Sequence, residues 1–90
     1  MRELLVDTKT QTGADGTEYS FDYFVLVDEM RVGAFDCESY GVKVAQRGGT
    51  EAAEIPNVTT SVARIDELLE RLTRNFVTPS TLRDVVEDWL

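Results

Sequence analysis

Two apolar stripes near the end of the chain constrain its fold more than any other feature. Val62, Ile65, Leu68, Leu69 and Leu72 recur at i, i+3, i+4 and i+7, and Leu82, Val85, Val86, Trp89 and Leu90 repeat the pattern after a break. Each run lines one side of a helix with side chains that must be buried against something. Ser61 or Thr60 precedes the first run as an N-cap able to accept from the free amides of the first turn, and Asn75 stops it. Thr78-Pro79 puts a capping residue before a ring that pre-sets φ for a first helical position, so the second helix is expected to start there. Glu67–Arg71 and Glu70–Arg74 stand at i, i+4 in the favourable order, each worth about 0.3–0.5 kcal/mol on an exposed face.

The surface these helices need lies upstream. Residues 2–9 alternate weakly, with Leu4 and Val6 on one side, and read as a first strand at an edge. Thr12-Gly13-Ala14-Asp15-Gly16-Thr17 is turn chemistry, in which Asp-Gly supplies positive φ for a tight reversal. A phosphate-binding glycine loop would lead into a helix; here a strand follows, so that reading fails. Glu18 to Asp28 is the strongest strand, and Asp28 to Gly33 reads as a connection. Tyr40–Gln46 alternates cleanly, and Gly41 inside it marks a bulge or a close approach by another backbone. Arg47-Gly48-Gly49-Thr50 closes a hairpin into Glu51–Val58, where Pro56 confines the last strand to an edge.

The expected architecture is therefore α+β: a four-stranded antiparallel sheet with two C-terminal helices packed on one face, in the order ββββαα. Residues 1–90 make a single domain, with the sheet in 1–60 and the helical pair in 61–90.

Strand 18–28 poses a problem for that plan. Tyr19, Phe21, Tyr23, Val25 and Val27 share one face, and the other face, polar at Glu18, Ser20 and Asp22, turns apolar at Phe24 and Leu26. A strand apolar on both sides needs cover on both sides. One helical layer covers one. Phe24 and Leu26 are thus the candidate partner surface, to be covered by the N-terminal segment, a dedicated protein partner or a second copy in a homodimer.

Charge narrows the partners. The net charge is -8, from 17 acidic and 9 basic residues. Such a surface repels phosphate backbones and anionic lipid, so direct nucleic-acid or membrane binding is not expected. An acidic nucleic-acid mimic is a separate possibility, motivated by the carboxylates of residues 1–60. No run approaches the ~20 apolar residues of a spanning helix. The start, Met1-Arg2-Glu3-Leu4-Leu5-Val6-Asp7, is far short of a signal-peptide core. A single cysteine, Cys37, allows no disulfide within the chain and fits a reducing, cytoplasmic setting.

Catalysis has little to work with. Histidine is absent, which removes the usual base near neutral pH and the commonest transition-metal ligand. Cys37 lies between Asp36 and Glu38, whose charges disfavour a thiolate. Asp84 with Glu87 or Asp88 spans i, i+3 and i, i+4, so two carboxylates could hold Mg²⁺ or Ca²⁺ loosely, with nothing to complete the shell. A solvated helix face explains them more simply. The aromatic run of Tyr19, Phe21 and Tyr23 could stack bases, but Glu18 and Asp22 flank it where base-stacking sheets carry cations. Core packing accounts for it.

At Tyr40-Gly41-Val42, Asn57-Val58-Thr59-Thr60 and the closing Ser80-Thr81-Leu82-Arg83-Asp84-Val85-Val86-Glu87-Asp88-Trp89-Leu90, the chain resembles a family of small Firmicutes proteins of unknown function. The resemblance runs from Tyr40 onward and departs from that family's pattern at Thr78-Pro79-Ser80. It implies a small cytoplasmic bacterial protein and carries over no catalytic, cofactor or metal residue. The residues together point to a non-enzymatic interaction or regulatory module, with no cofactor expected, that pairs with itself or a partner. The alternative is a carboxylate-based ligand or metal site.

Overall fold

Large side chains at every second position from Phe21 to Val27 make one strand the spine of the molecule. The computed structural model describes residues 1–90. Its sheet is an antiparallel meander of β1 (Arg2–Thr12), β2 (Glu18–Val32), β3 (Phe35–Gln46) and β4 (Ala52–Thr59), in spatial order β1-β2-β3-β4. Two helices follow, α1 (Val62–Arg74) and α2 (Leu82–Trp89), giving the ββββαα order.

Register explains which side chains meet. Across β2 and β3, Tyr23 faces Val44, Val25 faces Val42 and Val27 faces Tyr40, so the apolar residues of both strands share the helix side. On the far edge Val42 faces Ile55 and Val44 faces Ala53. Onto this surface α1 sets Ile65, Leu68, Leu69 and Leu72, and α2 adds Leu82, Val86 and Trp89. Tyr23, Val42, Val44, Leu68, Leu72 and Leu82 are each 0% exposed, and burial of a side chain of this size contributes about 2 kcal/mol.

The ends of α1 follow from local chemistry. The Ser61 hydroxyl accepts from the Arg64 amide at 3.2 Å, which satisfies one of the first-turn donors. At the other end the amides of Phe76 and Val77 return to the carbonyls of Thr73 and Leu72, a Schellman closure. Phe76 takes φ +49° there, a conformation usually left to glycine. The buried hydroxyl of Tyr23 donates to the Val77 carbonyl at 2.9 Å and ties this turn to the sheet. Burial raises the Tyr23 pKa above the usual phenol value, and the charge of Asp7 adds to the rise.

Three features depart from the sequence expectations. α2 begins at Leu82, with Thr81 as its cap, because residues 78–81 close a turn in which the Thr81 amide reaches the Thr78 carbonyl at 3.1 Å. Thr78, Ser80 and Thr81 also share hydroxyl contacts that hold this turn outside the helix. Among the pairs expected along α1, Glu70–Arg74 forms, while Glu67 instead lies 3.9 Å from Arg64. The largest departure is in the middle of the chain. The segment from Asp28 to Gly33, expected as a connection, continues β2 as far as Val32, and β3 begins at Phe35.

That continuation gives the molecule its shape. β1 pairs with β2 only up to Arg2↔Val27, and β4 pairs with β3 only from Tyr40↔Thr59 onward. Residues 28–32 and 35–39 therefore pair with each other alone, through Val32↔Phe35 at the tip. Gly33 takes φ +63° at the first position of the two-residue turn, as a type II′ reversal requires. The resulting arm draws the protein out to 55 × 24 × 17 Å. Its radius of gyration is 14.1 Å, against about 12 Å for a compact chain of this length.

Gly41 stands where arm and body meet. A Cβ there would strike the Ile55 carbonyl oxygen and lie 2.6 Å from the Pro56 Cα. The β3–β4 register slips between Tyr40 and Val42, opposite Asn57 at φ +56°. Both the bulge and the close backbone approach suggested by the sequence occur at this one position.

Candidate interaction surfaces

The face of the sheet away from the helices carries the two residues singled out from sequence, Phe24 and Leu26. Leu26 is 1% exposed and lies outside the main core. Its neighbours across the strands are Glu3 on β1 and Gly41 on β3. Glu3 and Lys43 meet at 2.9 Å, an ion pair that crosses β2 from one flanking strand to the other. The Lys43 ammonium also stands 5.6 Å from the centre of the Phe24 ring. Long charged side chains cover apolar surface with their methylene stems, and Glu3 and Lys43, joined across β2, are placed to do so here. What this face offers to solvent is a half-buried Phe24 and, beside it, Leu5 at 55% exposure.

A second crossing ties the same face nearer the Gly13 turn. The Thr8 hydroxyl donates to Asp22 at 2.7 Å, and Arg47 reaches Asp22 at 2.9 Å. The Thr8 hydrogen bond, helped by Arg47, holds the Asp22 carboxyl below its ordinary pKa. β1, β2 and the end of β3 are thereby joined through one acid.

The arm is sided. Met30 faces Cys37 and Val32 faces Phe35, all on the side that Phe24 and Leu26 occupy. Glu29 faces Glu38 and Arg31 faces Asp36 on the other side. Phe35 is 78% exposed, Val32 58% and Met30 39%, while Cys37 is partly covered. Directly opposed acids such as Glu29 and Glu38 repel. Arg2 relieves them by reaching Glu38 at 2.7 Å. Over residues 30–37 one side of the arm is apolar and uncovered and the other is charged; nearer the body, Asp28 and Ser39 interrupt the apolar side.

On the helix side, cover is uneven. α1 lies across β2, β3 and β4, and α2 rests against α1 and β4. The helical layer is thus displaced toward β4, and over β1 it leaves Leu4 and Val6 each 48% exposed. Between β1 and α1 runs a groove of 480 Å³. Leu4, Val6, Val25 and Val27 form its floor, and Val62 and Leu69 belong to its α1 wall. Val62, expected to be buried with the rest of its stripe, is 57% exposed because no strand or helix faces it there. Asp7, Asp66 and Glu70 are the charged residues lining the groove, and no basic residue joins them.

The remaining sequence candidates stay scattered. Asp84, Glu87 and Asp88 are exposed along α2. No three of the chain's aspartate, glutamate and cysteine side chains converge as metal ligands. Trp89 is buried with its indole N–H unpaired, and Arg64 stacks over its ring at 4.0 Å. No helix is long and apolar enough to cross a membrane.

The arm was legible in part. Gly33-Ala34 between Val32 and Phe35 is a two-residue hairpin signal, and Met30 and Val32 alternate with Glu29 and Arg31. The groove had no such signal, because it depends on where the helices settle across the sheet.

A family model described as a family of unknown function, DUF6514, matches residues 2–90. No curated protein and no solved structure matches the chain.

Proposed function

The chain belongs to the DUF6514 family of unknown function, and we propose that it acts by binding protein, without catalysis of its own, through the apolar side of the β2–β3 arm. The partner in this reading is a second copy of the chain. The observation that carries it is the sidedness of the arm: Met30, Val32 and Phe35 on one side, Glu29, Arg31, Asp36 and Glu38 on the other.

A two-stranded ribbon in water is marginal on its own. Phe35, 78% exposed, adds little to the stability of the isolated chain. Laying one arm on another would bury Phe35 and Val32 of both copies and turn both charged sides outward. The same patch meets itself in such a pairing, the arrangement of a two-fold dimer. Phe24 lies on the same face, separated from Met30 by buried Leu26 and by Asp28, which pairs with the N-terminal amine.

Like charge opposes the pairing, since each copy carries a net charge of -8. Added salt screens that repulsion, so association should strengthen as ionic strength rises. Sedimentation velocity over a concentration series, at low and high salt, reads this directly. The expected result is a concentration-dependent dimer, stronger in salt, abolished by Phe35→Asp and kept by Glu29→Gln. A monomer at every concentration and salt would reject the reading.

A further inference from the structure

We infer that the groove between β1 and α1 receives a basic amphipathic helix from a partner protein, laid beside α1 and over β1. This site lies on the opposite face of the sheet from the arm's apolar side, so it is independent of the proposed self-association.

Geometry supplies the first argument. Neighbouring strands are about 4.8 Å apart and packed helices about 8–10 Å apart, so one helix covers roughly two strands. Here the two helices serve β2, β3 and β4, with α2 against β4. The space over β1 is where a third helix would stand. Its floor and wall are already apolar: 8 of the 12 lining residues are hydrophobic. A helix presenting apolar residues at i, i+3 or i+4, and i+7 would place them over Leu4, Val6, Val62 and Leu69.

Charge supplies the second argument and selects the occupant. Asp7, Asp66 and Glu70 line the groove with no cation among them. Lys9 lies 3.6 Å from Asp7, and Arg74 pairs with Glu70 from outside the groove. Both pairs are solvent-exposed, and such pairs are weak enough to exchange for an incoming cation. Asp66 has no ion-pair partner of its own. Lysine or arginine flanking the apolar stripe of the incoming helix would meet all three acids.

A second copy of this chain fits poorly. Each copy carries a net charge of -8 and would bring like charge to an acidic rim. A partner with the opposite charge fits both floor and rim.

The test is an amide NMR titration of the intact chain with two synthetic amphipathic helical peptides, one of leucine and lysine, the other of leucine and glutamate. The lysine peptide should shift the amides of Leu4, Val6, Val62, Asp66, Leu69 and Glu70 in a saturable way, and the glutamate peptide should shift none. Val62→Arg, at an exposed position that leaves the core intact, should weaken the lysine peptide at least tenfold, whereas Phe35→Asp should leave its affinity unchanged. Three results would overturn the inference. One is shifts spread over the acids of α2 and the arm; another is equal affinity in Val62→Arg. The third is groove amides that shift with protein concentration alone, which would make a second copy the occupant.

Discussion

The β2–β3 ribbon follows one pattern of alternating side chains along its length, yet its two halves differ in what they touch. From Phe21 to Val27, the inward side chains lie under α1, with Tyr23 at 0% exposure and hydrogen-bonded to Val77. Beyond Val27 and Tyr40 the same two strands run on with no helix over them and no third strand beside them. On the helix side they carry Glu29, Arg31, Asp36 and Glu38 in place of apolar residues, and on the far side Met30, Val32 and Phe35 remain open to water. Alternation makes a strand in either half; only the packed layer turns it into a core. The buried core is thereby confined to one end of the hairpin.

The sharpest way to break this comparison is to cut a side chain from each half. Leu68→Ala empties a site that is 0% exposed and should lower the unfolding free energy by about 3 kcal/mol. Phe35→Ala, in the uncovered half, should change it by less than about 0.5 kcal/mol in the monomer. Urea titrations of the two variants check both expectations. Similar losses would mean that the arm shares the core's stability.

A smaller effect is expected where the halves join. Gly41→Ala would push a methyl group against the backbone of Ile55 and Pro56. The peptide chain cannot yield as a side-chain tip would, so β4 must shift, at about 1–3 kcal/mol. Amide exchange should quicken along Ala52–Thr59 while the amides of residues 28–39 keep their rates.

The smallest expected change concerns the bond that anchors the covered half. Tyr23→Phe removes the hydroxyl from the Val77 carbonyl and should destabilise by about 1 kcal/mol near neutral pH. The folded chain holds the Tyr23 proton more tightly than the unfolded chain does. The resulting stabilisation is complete below the unfolded phenol pKa of about 10, and it is lost as pH rises through the folded value. Thermal melts of the two proteins should therefore converge as the solution becomes strongly alkaline.

How far the sequence disclosed this molecule varies along the chain. The helical stripes of Ile65–Leu72 and Leu82–Trp89 and the alternation of Tyr19–Val27 led to the fold, since each is a local period tied to one backbone geometry. Residues 28–39 were obscured because Asp28, Glu29 and Arg31 resemble loop composition when the pairing partner is unknown. Once Glu29 faces Glu38 and Met30 faces Cys37, the same residues form an ordinary two-sided strand. Leu26 needs cover on its own face, from the N-terminal segment or from a partner, and nothing local reveals that Glu3 of that segment and Lys43, forty positions apart, join over β2. The groove was hidden for a similar reason. Val62 carries the helical period of its neighbours, and only the sideways placement of α1 leaves it exposed.

Strand order in this sheet equals chain order. Each pairing therefore closes a short turn, and the ribbon can assemble without a distant search. Its buried side nevertheless stays wet until the last segment arrives, because Ile65, Leu68, Leu72, Leu82 and Trp89 all come after the final strand. A chain interrupted after Thr59 would own every strand and none of the roof. During synthesis that half-made species has to be shielded or finished quickly, since its bare sheet would adhere to whatever apolar surface it met first.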